Sequence, residues 1–115
     1  MRVIDMAQEY ITLENSSNLG TVRLNKSVFT SIALNVIEED ENVKLAETTR
    51  LRNSNTLSSE IHDNQLTMNI PVQINYKANV SDVCANLQHK IFESISYMTG
   101  LQPSSIEVQV VGFIF

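Results

Sequence analysis

The strand that decides the fold spans residues 66–76, which read Leu-Thr-Met-Asn-Ile-Pro-Val-Gln-Ile-Asn-Tyr. Apolar or aromatic residues occupy every even-numbered position, and most odd-numbered positions are polar. Because successive side chains of a strand point to opposite faces, this alternation predicts a long strand with one buried face. Pro71 stands among the polar positions and has no N–H to donate, which predicts an edge strand or a nearby bulge.

A first helix is predicted upstream of this strand, after a short strand at residues 20–24. Asn25 belongs to a residue type that favours the N-cap. The predicted core stripe consists of Val28, Phe29, Ile32, Ala33 and Val36, and it leaves Leu34 and Ile37 outside. The acidic residues 38–41 are unfavourable beside the carbonyls of a helix end. We therefore expect the helix to end there in a solvated turn, followed by a strand at residues 43–48.

A second helix is predicted downstream, with Ser81 as its N-cap and Gly100 as its stop. Its predicted buried stripe consists of Val80, Val83, Cys84, Leu87, Ile91, Ile95 and Met98. Phe92 lies about 180° around the helix from Val83 and therefore outside this stripe. A last strand over residues 105–115 alternates at first and is apolar on both faces at its end. That change predicts a strand whose end is covered.

The order of these elements predicts an α+β two-layer sandwich. It runs strand, helix, strand, long strand, helix, strand, with room for one further short strand in the polar residues 49–63. Two helices on one face of a small mixed sheet account for this order. The 115 residues suffice for one domain. We predict that domain at residues 19–115, after a partly ordered N-terminal extension at residues 1–18.

Composition and charge narrow the classes of partner. Eight Lys and Arg against 13 Asp and Glu give a net charge of −5, which disfavours nucleic acid and direct contact with an anionic membrane. The apolar stretch Val108–Phe115 is shorter than the roughly 20 residues of a membrane-spanning helix, and the first ten residues do not resemble a signal peptide. A single cysteine fits a reducing, cytoplasmic compartment.

No catalytic, metal or cofactor site is predicted from the reactive residue types. Cys84 lies in the apolar stripe of the second helix, and His89 lies about 140° around that helix from it. The other histidine, His62, lies in the polar loop without a metal-ligand spacing to a second ligand. We interpret Cys84 as a packed residue and both histidines as surface residues.

The apolar residues left without a core position predict a partner-binding surface instead. They are Phe92 on the second helix and Phe113 and Phe115 at the end of the last strand. Contiguous exposed apolar side chains mark interaction sites. Coverage of these residues by the sheet edge or by the long loop is the alternative.

Residues 79–115 resemble the C-terminal half of the alkaline shock, or envelope stress response, protein family of Gram-positive bacteria. The matching features are Tyr76, the pair Leu87-Gln88, the helix end Met98–Leu101 and the closing residues Gly112–Phe115. A weaker match extends the resemblance back to about residue 19. Phe92 stands where family members more often carry a charged residue, which suggests a contact particular to this chain.

This resemblance implies a cytoplasmic, non-enzymatic protein that forms homo-oligomers and serves cell-envelope homeostasis. A membrane-anchored partner of the same pathway would hold it at the inner face of the cell membrane. The alternative that the family implies is a regulatory subunit for an enzyme of fatty-acid or lipid metabolism. A third hypothesis, a small enzyme or ligand carrier, would require a closed pocket with converging polar groups.

Overall fold

The computed structural model describes residues 8–13, 19–46 and 57–115, and this part of the chain contains two helices and six strands. The elements in chain order are β1 (Tyr10–Leu13), β2 (Val22–Asn25), α1 (Lys26–Glu38), β3 (Val43–Leu45), β4 (Ser58–His62), β5 (Gln65–Asn75), α2 (Val80–Thr99) and β6 (Ser105–Ile114). The predicted α+β class is confirmed. The further short strand expected in residues 49–63 is β4.

The long strand β5 lies at the centre of a mixed four-stranded sheet. β6 pairs with it in parallel along residues 67–75. The opposite edge of β5 is shared by two antiparallel strands, β4 against residues 65–69 and β3 against residues 72–74. β1 and β2 form a separate antiparallel pair, and a bridge between Gln8 and Ile61 connects this pair to β4.

Pro71 is fully buried in this central strand, so the prediction of an edge strand is wrong. Its carbonyl accepts a hydrogen bond from the N–H of Ala46 at 3.0 Å. The N–H and C=O of a strand residue point to the same edge of the strand. The position of the N–H that Pro71 lacks therefore lies at the junction between β3 and β4. The bulge that Pro71 also predicted is confirmed, because the register with β6 shifts between Val72 and Gln73.

Helix α1 begins as predicted, and its buried face is rotated by about 40° from the predicted one. The side-chain oxygen of Asn25 accepts a hydrogen bond from the N–H of Ser27 at 2.9 Å. Ile37 is 3% exposed, so its predicted place outside the core is wrong, whereas Val28 is only partly buried. The stripe is centred near Phe29, which brings Ile37 inward on one flank and turns Val28 outward on the other.

Helix α2 carries the predicted row of Val83, Leu87, Ile91 and Ile95 in the core. Two details of the prediction are wrong. Asn79, not Ser81, is the N-cap, because its side-chain oxygen accepts from the N–H of Asp82 at 3.1 Å. Met98 is 66% exposed although it lies in phase with the stripe, because it sits in the last turn, beyond the core. Gly100 ends the helix with φ 78°, as predicted.

Strand β1 was not predicted, and it lies within the residues assigned to the N-terminal extension. Its Ile11 is fully buried and belongs to the same core as both helices and β5. The strand predicted after α1 is shorter than expected and ends at Leu45. Residues 47–56, where its end and part of the polar loop were predicted, lie outside the described residues.

Candidate partner-binding surface

The three phenylalanines predicted as a partner surface lie in two separate places. Phe113 and Phe115 lie at the end of β6, and Phe92 lies on α2 beside Ile106 at the start of β6. Since a strand rises about 3.3 Å per residue, the two places are roughly 30 Å apart. The structure therefore brings Phe113 and Phe115 together and leaves Phe92 apart from them.

The first place is an aromatic patch formed by Tyr76, Phe113 and Phe115. The Phe115 ring centroid lies 5.2 Å from that of Tyr76 and 6.4 Å from that of Phe113. Phe115 is 92% exposed, and the other two rings are about half exposed. The prediction that the end of the last strand is covered is therefore wrong. Lys77 places its Nζ 5.7 Å from the Tyr76 ring centroid.

The sequence places Tyr76 at the inward end of the long strand and does not predict it as a member of this patch. The register agrees with an inward direction for the Tyr76 side chain. Phe113 pairs with Ile74, two residues before Tyr76, so Phe113 and Tyr76 lie on the helix-facing side of the sheet. α2 starts only at Val80, and it leaves both rings exposed. The parallel pairing of β5 with β6 brings these rings together, and a prediction of that pairing would have placed Tyr76 in the patch.

A bulge decides which way Phe113 points. Val72 pairs with Val110 and Gln73 pairs with Gly112, so Val111 is an extra residue in β6. An extra residue shifts the alternation of side chains by one position. Phe113 therefore shares the helix-facing side with Val110, whereas an unbroken strand would place it with Glu107 and Gln109. Ile114, which pairs with Asn75, lies on the opposite side of the sheet from Phe113.

The second place is the Phe92 groove, an open groove of about 390 Å³ between α2 and the start of β6. Its walls are Ala85, Gln88, His89, Phe92, Pro103, Ser104, Ser105 and Ile106. The side-chain amide of Gln88 donates to the backbone carbonyl of Ile106 at 2.9 Å and thereby holds the helix beside the strand. Phe92 is half-buried, so part of its ring is accessible from the groove.

The reactive residues occupy three different places: His89 lines the Phe92 groove, Cys84 lies in the first half of α2, and His62 ends β4. Burial raises the pKa of the partly exposed Cys84 thiol, which disfavours the reactive thiolate. His89 pairs with Glu93 at 3.1 Å, and His62 lies 3.6 Å from Glu60. Among the residues that the structure describes, no three His, Cys, Asp or Glu side chains gather where they could hold a metal ion.

The outer edge of β6 joins the two places. Across residues 8–13, 19–46 and 57–115, the structure pairs β6 with β5 and with no other strand. Glu107 is the one charged residue between Ser105 and Phe115. No helix in these ranges has the length and apolar character needed to cross a membrane.

Comparison with known proteins gives a family for this architecture. A family model matches residues 14–115, which include every described element except β1. The chain belongs to the alkaline shock protein family. This family is described by a cell envelope-related function, and the resemblance found in the sequence is thereby confirmed. Neither the comparison with curated proteins nor the comparison with solved structures gives a match for this family member.

Proposed function

We propose that this member of the alkaline shock protein family is a non-enzymatic, self-associating scaffold in cell-envelope homeostasis. A membrane-anchored protein would hold it at the inner, cytoplasmic face of the membrane of a Gram-positive cell. The observation that carries this proposal is the aromatic patch, in which Phe115 is 92% exposed beside two half-exposed rings. Clustered exposed aromatic residues of this kind favour a protein partner.

The charge of the chain supports recruitment by a protein rather than by lipid. Its net charge is −5, and anionic headgroups at the cytoplasmic surface repel negative charge. Lys77 places a single positive charge against the Tyr76 ring of the patch, whereas juxtamembrane binding requires clusters of several Lys or Arg. A membrane-anchored protein is therefore the better candidate to bring the chain to the envelope.

The chemistry of the described side chains supports a binding role. Burial raises the pKa of the Cys84 thiol, and the Phe92 groove is open to solvent. A small-molecule enzyme uses an enclosed site in which polar groups converge on the substrate. We therefore infer binding rather than catalysis.

Two measurements test this proposal. Size-exclusion chromatography with light scattering should give a mass of two or more chains at micromolar concentration. Affinity purification of the tagged chain from native membranes should enrich a membrane-anchored protein, and a Phe115→Ala variant at equal expression serves as the matched control. A monomer at all concentrations would contradict the self-association. Enrichment of a fatty-acid or lipid-synthesis enzyme instead would contradict the scaffold role in favour of a regulatory subunit.

A further inference from the structure

The outer edge of β6 lacks most of the features that normally protect a free strand edge; the bulge at Val111 and a hydrogen bond from Gln88 are the exceptions. Natural edge strands carry Lys or Pro, are short, or are covered. β6 is ten residues long, it contains neither Lys nor Pro, and its one charged residue is Glu107. Among the described residues its one covering group is the Gln88 amide at Ile106. Such an edge is suited to pairing with another strand.

Two hydrogen bonds define which residues of β6 face outward. Ile114 accepts from the N–H of Tyr76 at 3.1 Å, so its backbone groups face β5. Ile106 accepts from the Gln88 amide, so its carbonyl faces away from β5. Because of the alternation along the strand and the extra residue Val111, the backbone N–H and C=O groups of residues 108, 110 and 113 point outward, away from β5. The side chains of these three residues lie on the helix-facing side of the sheet.

We propose that two copies of the chain pair β6 with β6 in antiparallel orientation to form one continuous sheet across a two-fold axis. A pairing centred between Val110 and Val111 uses the outward backbone groups of residues 108–113 in both copies. It sets Val108 opposite Phe113 of the other copy, with both side chains on the helix-facing side. This proposal rests on the self-association in the proposed function and assigns it to one interface.

The same pairing brings the aromatic patch of each copy to the Phe92 groove of the other. Ile106, a wall of the Phe92 groove, comes opposite Phe115 of the other copy. The 92% exposed ring of Phe115 can then pack against the half-buried ring of Phe92, once on each side of the axis. Each copy therefore supplies both the projecting ring and the groove, which is the self-complementarity that a two-fold interface requires.

The charge distribution is compatible with a second copy as the occupant. In this register Glu107 comes opposite Ile114, so the two Glu107 side chains are seven residues apart along the pair, roughly 23 Å. This separation exceeds the Debye length of about 8 Å at physiological ionic strength. The like charges of two β6 strands therefore do not oppose the pairing. Pairing between residues 108 and 113 also leaves the Gln88 hydrogen bond in place.

Disulfide cross-linking tests the register directly, in a Cys84→Ser background that removes the native thiol. With a spacing of about 4.8 Å between strands, the Cα atoms at two copies of position 111 lie about 6 Å apart, and those at position 109 about 11 Å. A disulfide requires Cα atoms within about 7 Å. We expect Val111→Cys to give a covalent dimer under mild oxidation and Gln109→Cys, the matched control, to remain largely uncross-linked. Equal cross-linking of the two, or of neither, would overturn the register.

Light scattering separates this proposal from the more general one. Val111→Lys sets two positive charges beside the axis, and Phe115→Ala removes the projecting ring. Both variants should be monomeric at concentrations at which the unmodified chain is fully associated. Tyr97→Ser is the control, because Tyr97 is 91% exposed and lies across the buried stripe of α2 from Phe92. It should associate like the unmodified chain.

The possible failures are distinguishable. If the unmodified chain is associated and Val111→Lys and Phe115→Ala remain associated, the β6 interface is wrong and self-association through another surface stands. If the unmodified chain is itself monomeric, the self-association in the proposed function fails together with this interface. Circular dichroism of both variants should match the unmodified chain, since Val111 and Phe115 are exposed.

Discussion

At the scale of single residues, neighbours on one helix have opposite roles. Ile91 is fully buried in the core, and Phe92, the next residue, is half-buried in the groove beside β6. A step of about 100° around a helix separates adjacent side chains, so it can carry one into the core and the next to its margin. The helical phase predicted this division correctly for both residues. It did not predict that the ring of Phe92 would lie beside Ile106, because that contact depends on β6.

Substitution of these two neighbours should separate stability from association. Phe92→Asp should lower the free energy of unfolding by about 1–2 kcal/mol and weaken self-association at least tenfold, because it places a charge in the groove. Ile91→Ala should cost more, about 2–5 kcal/mol, because it leaves a cavity in the core, and should leave association of the folded fraction unchanged. Urea unfolding and sedimentation equilibrium measure the two quantities. A loss of stability at Phe92 as large as that at Ile91 would place Phe92 in the core.

At the scale of elements, two local irregularities determine what each strand presents. Pro71 is accommodated in a central strand because two strands meet there and one hydrogen bond of the ladder is missing. Val111 shifts the alternation of β6, so that Phe113 joins Tyr76 on one side. The sequence predicted a bulge near Pro71. It could not locate the extra residue in β6, because that position is defined only by pairing with β5.

The start of α2 allows a direct comparison of two possible N-caps. Asn79→Ala should destabilise the protein by about 1 kcal/mol, because it removes the hydrogen bond to the N–H of Asp82. Ser81→Ala, which changes a residue inside the helix, should alter stability by no more than about 0.5 kcal/mol. Thermal and urea unfolding of the two variants provide the test. The reverse order of effects would restore the N-cap predicted from sequence.

At the scale of the whole molecule, β1 is held to the domain by contacts between residues distant in sequence. Ile11 enters the common core, and the N–H of Gln8 donates to the carbonyl of Ile61 at 2.7 Å. Asn64, in the turn between β4 and β5, accepts from the N–H of Thr12 at 3.0 Å and donates to its carbonyl at 3.1 Å. These contacts span more than 50 residues, and local periodicity in residues 8–13 contains no sign of them.

Asn64 should therefore contribute to stability through two effects that can be separated. Asn64 has φ 59°, which an alanine adopts only with strain and a glycine adopts freely. Asn64→Gly should cost about 1–2 kcal/mol through the lost hydrogen bonds to Thr12, and Asn64→Ala about 1 kcal/mol more. In both variants the amides of β1 should exchange with deuterium faster than those of β5. Unchanged exchange in β1 would show that Ile11, the pairing with β2 and the Gln8–Ile61 hydrogen bond hold the strand without Asn64.

The sequence by itself determined the α+β class, the long strand β5, the buried row of α2, most of the buried row of α1 and the family of this protein. These features follow from local periodicity and end signals, which need no knowledge of the partners of an element. Only the tertiary structure decided the central place of Pro71, the inclusion of β1, the separation of Phe92 from Phe113 and Phe115, and the open edge of β6. Each of these depends on which strands pair and in what register, and pairing joins residues that no local pattern connects.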